Sequence, residues 1–220
     1  MRLTLVRNAT VLLELEGRRL LVDPMLDDAG ARPPIAETAN QVPNPTVPLP
    51  FSAEDVVRGV EAVLVTHRHR DHLDGRAEEL LPRNIPVFCQ PEDEDPLREL
   101  GLDVRAVPGE LRFDGLRIVR TLAQHGFGDV AAALAPVSGF LVDDVYLAGD
   151  TVWCEAVEET LERHRPRVAV VNAGGAEFLE GGLIIMGADD VREEMCAAYP
   201  LDPPLAVDVG VGDDWAEAKA

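Results

Sequence analysis

Residues 61–75 read EAVLVTHRHRDHLDG, and the rest of the chain is understood outward from them. Ala62, Val63, Leu64 and Val65 form a short apolar run rich in β-branched side chains, the pattern of a buried strand. His67, His69, Asp71 and His72 follow within six residues. The run AEELL at 77–81 then predicts a helix, with Asp74 as its cap. Side chains at the carboxyl end of a strand, just before a helix, converge on the crevice where α/β folds hold ligands. Neutral imidazole and carboxylate are the usual ligands of divalent zinc and also suit manganese or iron. A lone surface histidine is usually no more than that, and a mixed charged turn is usually solvated. Here three of the chain's five histidines fall in one hexad, which favours metal.

A chain of 220 residues is expected to form one domain over its full length, 1–220, with room for two packed layers around a sheet. A mean hydropathy close to zero fits a soluble protein. No apolar run approaches the roughly 20 residues needed to span a bilayer. The start, MRLTLVRNAT, lacks the long apolar core of a secretory signal. The expectation is a cytoplasmic protein without a membrane partner, and a homo-oligomer is compatible with it.

Forty acidic against 20 basic residues give a formal charge of −20, and every basic residue except Lys219 is arginine. Such a surface repels phosphate backbones, which argues against nucleic acid as a partner. It does not exclude a small anionic substrate, because bound metal dominates the local field. Cys89, Cys154 and Cys196 are scattered and odd in number, so no disulfide framework is expected and a reducing compartment fits. Cys154 lies four residues after Asp150 and is read as a structural thiol in preference to a site residue.

Taken in order, Leu3–Val6, Val11–Leu15 and Arg19–Val22 read as strands, the last two joined at Glu16-Gly17. The third ends in Asp23-Pro24, where the aspartate either supports a metal-binding histidine or simply closes the turn. Leu26–Ser52 is proline-rich with little periodicity; it is expected to be an ordered flap over the site. Its apolar Val47, Leu49 and Phe51 either line a substrate pocket or pin the loop to the body. A short helix at Ala53–Arg58 precedes the metal-bearing strand. Pro86–Gln90 and Leu102–Val107 read as strands flanking a helix at Asp95–Leu100. Leu111–Phe113 and Leu116–Leu122 form a hairpin turned at Asp114-Gly115. It runs out at His125, whose flanking glycines allow close backbone approach.

A second hairpin, Ser138–Val142 with Val145–Ala148, ends in Gly149-Asp150-Thr151. Trp153–Arg163 predicts a helix with His164 at its end, favourable there and without a metal role. Arg167–Val171 reads as a strand leading to the glycine-rich turn 172–175, Ala188–Tyr199 as a helix, and Leu205–Val209 as a last strand. Two blocks of strands with helices following are best buried as two face-to-face sheets with helices outside.

His-x-His-x-Asp-His after a buried strand resembles the metal motif of the metallo-β-lactamase superfamily. VRNATVLLELEGRRLLVDPML at 6–26 resembles its L-ascorbate-6-phosphate lactonase-like hydrolases. TLAQHGFG around His125, YLAGDT around Asp150 and VVNAGGAEFLEGG from Val170 to Gly182 extend the likeness to about Tyr199. The resemblance implies a four-layer αββα sandwich. It also implies one metal site of His67, His69 and His125, a second with Asp71 and His72, and Asp150 bridging the two. The implied cofactors are one or two divalent ions, zinc first, with manganese or iron as alternatives. Three histidines leave a position open for water, and metal brings the pKa of such water to about 7.

The family pattern ends with a further histidine near the carboxyl terminus, and here Asp208, in LAVDVGVGDD, stands in its place. Either Asp208 ligates and favours manganese or iron, or the second site is weak, or the chain binds metal without turnover; the plain alternative is that Asp208 is an ordinary exposed acid in an acidic tail. Asp71 is a candidate proton shuttle as well as a ligand. Arg68 and Arg70 either meet an anionic substrate or point to solvent, and Thr10, Trp153 and Asn172 sit in family-like segments. The function expected is hydrolysis of a small ester, lactone or phosphorylated molecule by metal-bound hydroxide. The competing function is a metal-bound sensor or scaffold. No Gly-x-Ser-x-Gly elbow offers a rival nucleophile.

Overall fold

The computed structural model describes residues 1–195. The first sheet contains β1 (Arg2–Arg7), β2 (Thr10–Leu15), β3 (Arg18–Val22), β4 (Ala62–Val65), β5 (Pro86–Cys89) and β6 (Asp103–Ala106), adjacent in that order. β1 to β3 are antiparallel neighbours, whereas β3 to β6 run parallel. The second sheet holds β7 (Glu110–Phe113), β8 (Leu116–Leu122), β9 (Ser138–Val142), β10 (Val145–Leu147) and β11 (Val168–Val170) in the order β11-β10-β9-β8-β7. A two-stranded ribbon, β12 (Glu177–Phe178) with β13 (Gly182–Leu183), follows.

Alternation along the strands makes the layers. In β4, Val63 and Val65 point to one side, where they pack with Val56 of α1 (Ala53–Val57), Ala77 of α2 (Gly75–Leu80) and Leu97 of α3 (Glu94–Glu99). Ala62 and Leu64 point the other way, into an apolar seam shared with Leu13, Leu20, Ile118, Phe140 and Leu147 of the two sheets. Beyond the second sheet, Leu141 and Tyr146 pack with Val157 and Leu161 of α5 (Glu155–His164). Helix, sheet, sheet, helix is the αββα sandwich, and a period of two along each strand is what builds it. No helix among the described residues is long and apolar enough to cross a membrane.

Beyond β6, two features of the fold were not anticipated. Residues after His125 form α4 (Gly128–Leu134), none of whose side chains is fully buried, and the glycine-rich segment after β11 supplies the ribbon. Both are short and weakly patterned, so only their neighbours decide them. Of the helix expected at Ala188–Tyr199, Asp190–Met195 is helical, in wide π-type turns; the expected strand Leu205–Val209, Cys196 and Asp208 lie outside the described residues.

The proline-rich segment is ordered by the body. The buried Arg7 donates through Nη2 to the carbonyls of Met25 (2.6 Å) and Asp27 (2.8 Å), and through Nη1 to that of Val47 (3.0 Å). One guanidinium thus draws both ends of the loop together, although burial pulls its pKa down. Leu49 packs on the helix-side core. With Phe51 it also lines a cleft of about 600 Å³ beside Glu54 and Arg76, and none of the motif histidines lines that cleft.

Leu64 is fully buried in the seam between the sheets. Leu64→Ala is expected to cost about 2–5 kcal/mol in urea unfolding. Leu122→Ala, at a side chain 67% exposed, should shift stability by no more than about 0.5 kcal/mol.

Candidate metal centre

Each site residue leaves a strand at the same end of the sandwich. β4 runs out through Thr66 into His67, and Asp74 then caps α2 by accepting from the Ala77 amide (2.8 Å). β8 runs out toward His125, and β10 toward Gly149 and Asp150. Gly149 adopts φ +67°, and a Cβ there would lie 2.7 Å from the Ser138 carbonyl, so no other residue brings Asp150 round at this point without strain.

The structure assembles two donor groups that share one residue. His67, His69 and His125 form the first, and His67, His72 and Asp150 the second; within each, the donor atoms lie within 4.8 Å of one another. Asp150 spans both, with Oδ1 3.2 Å from His72 Nε2 and Oδ2 3.5 Å from His125 Nε2. His67, His72, His125 and Asp150 are buried and His69 is half-buried. Asp71 is half-exposed, and its carboxylate belongs to neither group. His164 ends α5, as expected, and joins neither group.

The hydrogen bonds around the rings assign their protons. Asp23 accepts from the Thr66 amide (2.7 Å) and the Thr66 hydroxyl (2.8 Å), and its Oδ2 lies 2.9 Å from His72 Nδ1. The Thr66 hydroxyl has one hydrogen, given to Asp23, so it accepts from His67 Nδ1 at 3.1 Å. That leaves the His67 Nε2 lone pair facing the centre, 3.0 Å from His69 Nδ1. His125 Nδ1 donates to the Ile184 carbonyl (2.7 Å), which also leaves its Nε2 bare. Bare imidazole nitrogens turned toward one another repel unless a proton or a cation lies between them. This donor chemistry fits a divalent ion with nitrogen and oxygen ligands.

The titration behaviour agrees. Burial, then the charge of His72, holds His67 well below the ordinary histidine range, and burial also lowers His69. Both are neutral, ligand-ready imidazoles near pH 7. Burial opposes charge on His72 too, but Asp150 and Asp23 outweigh it and raise its pKa well above 6.5. For Asp150, burial pushes the pKa up, but His72, then His67 and His125, hold it well below the carboxylate range.

Several supporting residues were only half legible. Asp23 bonds a candidate ligand and is more than a turn closure. Thr10 fixes the Asp23 segment, its hydroxyl donating to the Asp23 carbonyl (2.7 Å) and accepting from the Met25 amide (2.9 Å). Asn172 donates to Asp150 Oδ1 at 2.7 Å. Trp153 and Cys154 pack against the core under α5, and Cys89 is buried with its thiol pushed up to about 12. The Ile184 carbonyl was missed altogether, since backbone partners leave no mark in a sequence.

A model of the beta-lactamase superfamily domain matches residues 18–199. The chain belongs to that superfamily. The UPF0173 protein YddR of Bacillus subtilis (strain 168) is 37% identical, covering 98% of this chain and 88% of that one. The UPF0173 metal-dependent hydrolase MJ1163 of Methanocaldococcus jannaschii is 32% identical, over 72% and 71% of the two chains. Among solved structures, a possible metal-dependent hydrolase from Veillonella parvula has a TM-score of 0.85 and 35% identity, covering 90% of this chain and 81% of that one. The isothiocyanate hydrolase from Delia radicum gut bacteria has a TM-score of 0.80 and 36% identity, over 87% and 78%. The superfamily and its αββα fold are thus those expected from the hexad, and the chain is one of the metal-dependent hydrolase family. The narrower lactonase-like group is not singled out by these relatives.

The sign of the pH dependence follows from the two shifted groups. His72, raised in the fold, stabilises the metal-free protein fully below pH 6.5, and this is lost as pH rises through its folded value. Asp150, depressed, contributes above pH 3.8, and this is lost as pH falls through its folded value. If His72 Nε2 were to hold an ion, its proton would have to leave, so metal affinity should weaken as pH falls through the raised folded pKa of His72. Calorimetric titrations in buffers of different ionisation enthalpy should register proton release on binding.

Proposed function

We propose that the chain is a hydrolase that holds one or two divalent ions, zinc before manganese or iron, and splits a small electrophilic substrate with water. His67, His69 and His125 hold the first ion; His72 and Asp71 serve the second, with Asp150 between the two. The observation that carries this is the pair of buried donor groups joined through His67. When bound, a divalent ion there supplies a water of lowered pKa and a Lewis acid for the scissile bond. Asp150, held by Asn172, keeps a fixed negative charge between the groups. Asp71 carries a proton to or from bulk water, a role that its half-exposed side chain supports.

Within the expected substrate classes, the surroundings favour carbon over phosphorus. Arg70 is engaged by Glu78 at 3.2 Å, and Arg68 is exposed. Arg70 is therefore already met by a protein carboxylate, which favours an uncharged ester or lactone over a phosphorylated molecule. The isothiocyanate hydrolase, 36% identical, adds another uncharged electrophilic carbon to that class. The scattered cysteines, which offer no disulfide framework, support a reducing, cytoplasmic setting.

His67→Ala, which removes the residue common to both groups, should abolish metal retention and hydrolysis together. Elemental analysis of purified protein and a screen of carboxylate esters, lactones, isothiocyanates and phosphodiesters with added zinc or manganese check this. A folded wild-type protein that carries metal yet turns over none of these would point to a sensor; turnover that survives His67→Ala would sink the proposed centre.

A further inference from the structure

The proline-rich loop touches both halves of the centre. On the side of the first sheet, Arg32 grips the Asp27 carboxylate through Nε (2.8 Å) and Nη2, and its Nη1 donates to the carbonyl of Arg70. That carbonyl belongs to the peptide joining Arg70 to Asp71, inside the metal motif. Asp27 in turn donates its amide to Asp74 Oδ2 (2.7 Å), and its Oδ1 accepts from the Arg76 amide (3.2 Å). The other oxygen of Asp74 caps α2. Arg32 and Asp27 therefore fasten the motif in its middle and at its end. Both side chains are only 19% exposed, so their ion pair is shielded from the screening that weakens surface pairs.

On the side of the second sheet, the Glu37 carbonyl accepts from the Leu179 amide (2.7 Å), and Thr38 bridges to Phe178 of β12. The ribbon leads to Ile184, whose carbonyl holds His125. One loop is thus bonded to the His69–Asp71 segment at its near end and to the support of His125 at its tip. A merely decorative loop has no need of a charge-assisted bond to a backbone carbonyl within the metal motif.

We propose that Arg32 is a positioning residue for the metal centre, coupling the proline-rich loop to the His69–Asp71 segment so that metal binding and loop order reinforce each other. This rests on the hydrolase reading above. Removing the guanidinium leaves the Arg70–Asp71 peptide free to turn, and with it the angle at which His69 and Asp71 meet an ion. Lysine keeps the charge but cannot hold Asp27 and the Arg70 carbonyl in one planar fork.

Zinc and manganese affinities of wild type, Arg32→Ala, Arg32→Lys and Asp27→Asn are measured by chelator competition. Proteolysis of the loop is timed with and without metal. Arg32→Ala should bind about 10- to 100-fold more weakly, the scale for losing a partner that orients ligands. Arg32→Lys should recover part of that, and Asp27→Asn should fall on the same side as Arg32→Ala. Metal should slow cleavage of the wild-type loop and lose that effect in Arg32→Ala. Should Arg32→Ala fail to fold by circular dichroism, Arg32→Lys and Asp27→Asn decide alone. Wild-type metal affinity with undiminished loop protection in the folded variants overturns the coupling and leaves the hydrolase reading intact. A wild type that binds neither metal overturns both.

Discussion

The carboxylate of Asp23 is the constraint on which the rest of the centre depends. It is 2% exposed, and it lies at the end of β3, directly beside the point where β4 gives way to the metal motif. A carboxylate this deep is tolerable only when its oxygens are fully engaged. Here the engagement is supplied by the Thr66 amide, the Thr66 hydroxyl and the His72 ring. Through these bonds one buried anion sets the direction of the chain leaving β4, the tautomer of His67 and the orientation of His72. The Asp23 amide closes the arrangement by donating to the Leu64 carbonyl at 3.0 Å.

Around that point the two-sheet construction explains why the donors converge. The seam between the sheets is apolar, so the strands that face each other cannot end in charged groups anywhere along their length. Only where the strands run out can imidazoles from one sheet meet a carboxylate from the other, as His72 meets Asp150. The meeting is nearly dry, and at low dielectric each charge there interacts more strongly than it would on the surface. The opposite pKa displacements of His72 and Asp150 express this, as do the neutral states of His67 and His69.

The acidic character of the chain takes on a local meaning once the arginines are placed. Arg7 and Arg32 are turned inward, where they hold backbone carbonyls and Asp27, and Arg70 is paired with Glu78. The net charge of −20 therefore describes the surface, while the neighbourhood of the centre is organised by cations that the overall tally hides.

The hexad, the strand before it and the cap after it were legible because their periodicities are local: alternation for β4, His-x-His-x-Asp-His for the motif, and Asp74 three residues before Ala77 for α2. The same holds for the hairpins turned at Asp114-Gly115 and Asp143-Asp144, where Asp114 and Asp143 take up positive φ. Tertiary structure alone decided that His67 serves both donor groups, that Asp71 stands half-exposed outside them, and that Asp23 and Asn172 bond the candidate ligands His72 and Asp150. It alone revealed the roles of Arg7, Arg32 and the Ile184 carbonyl. These are contacts between residues tens of positions apart, many of them to backbone oxygens, and no spacing in a one-dimensional sequence encodes which carbonyl a folded chain will turn toward which ring.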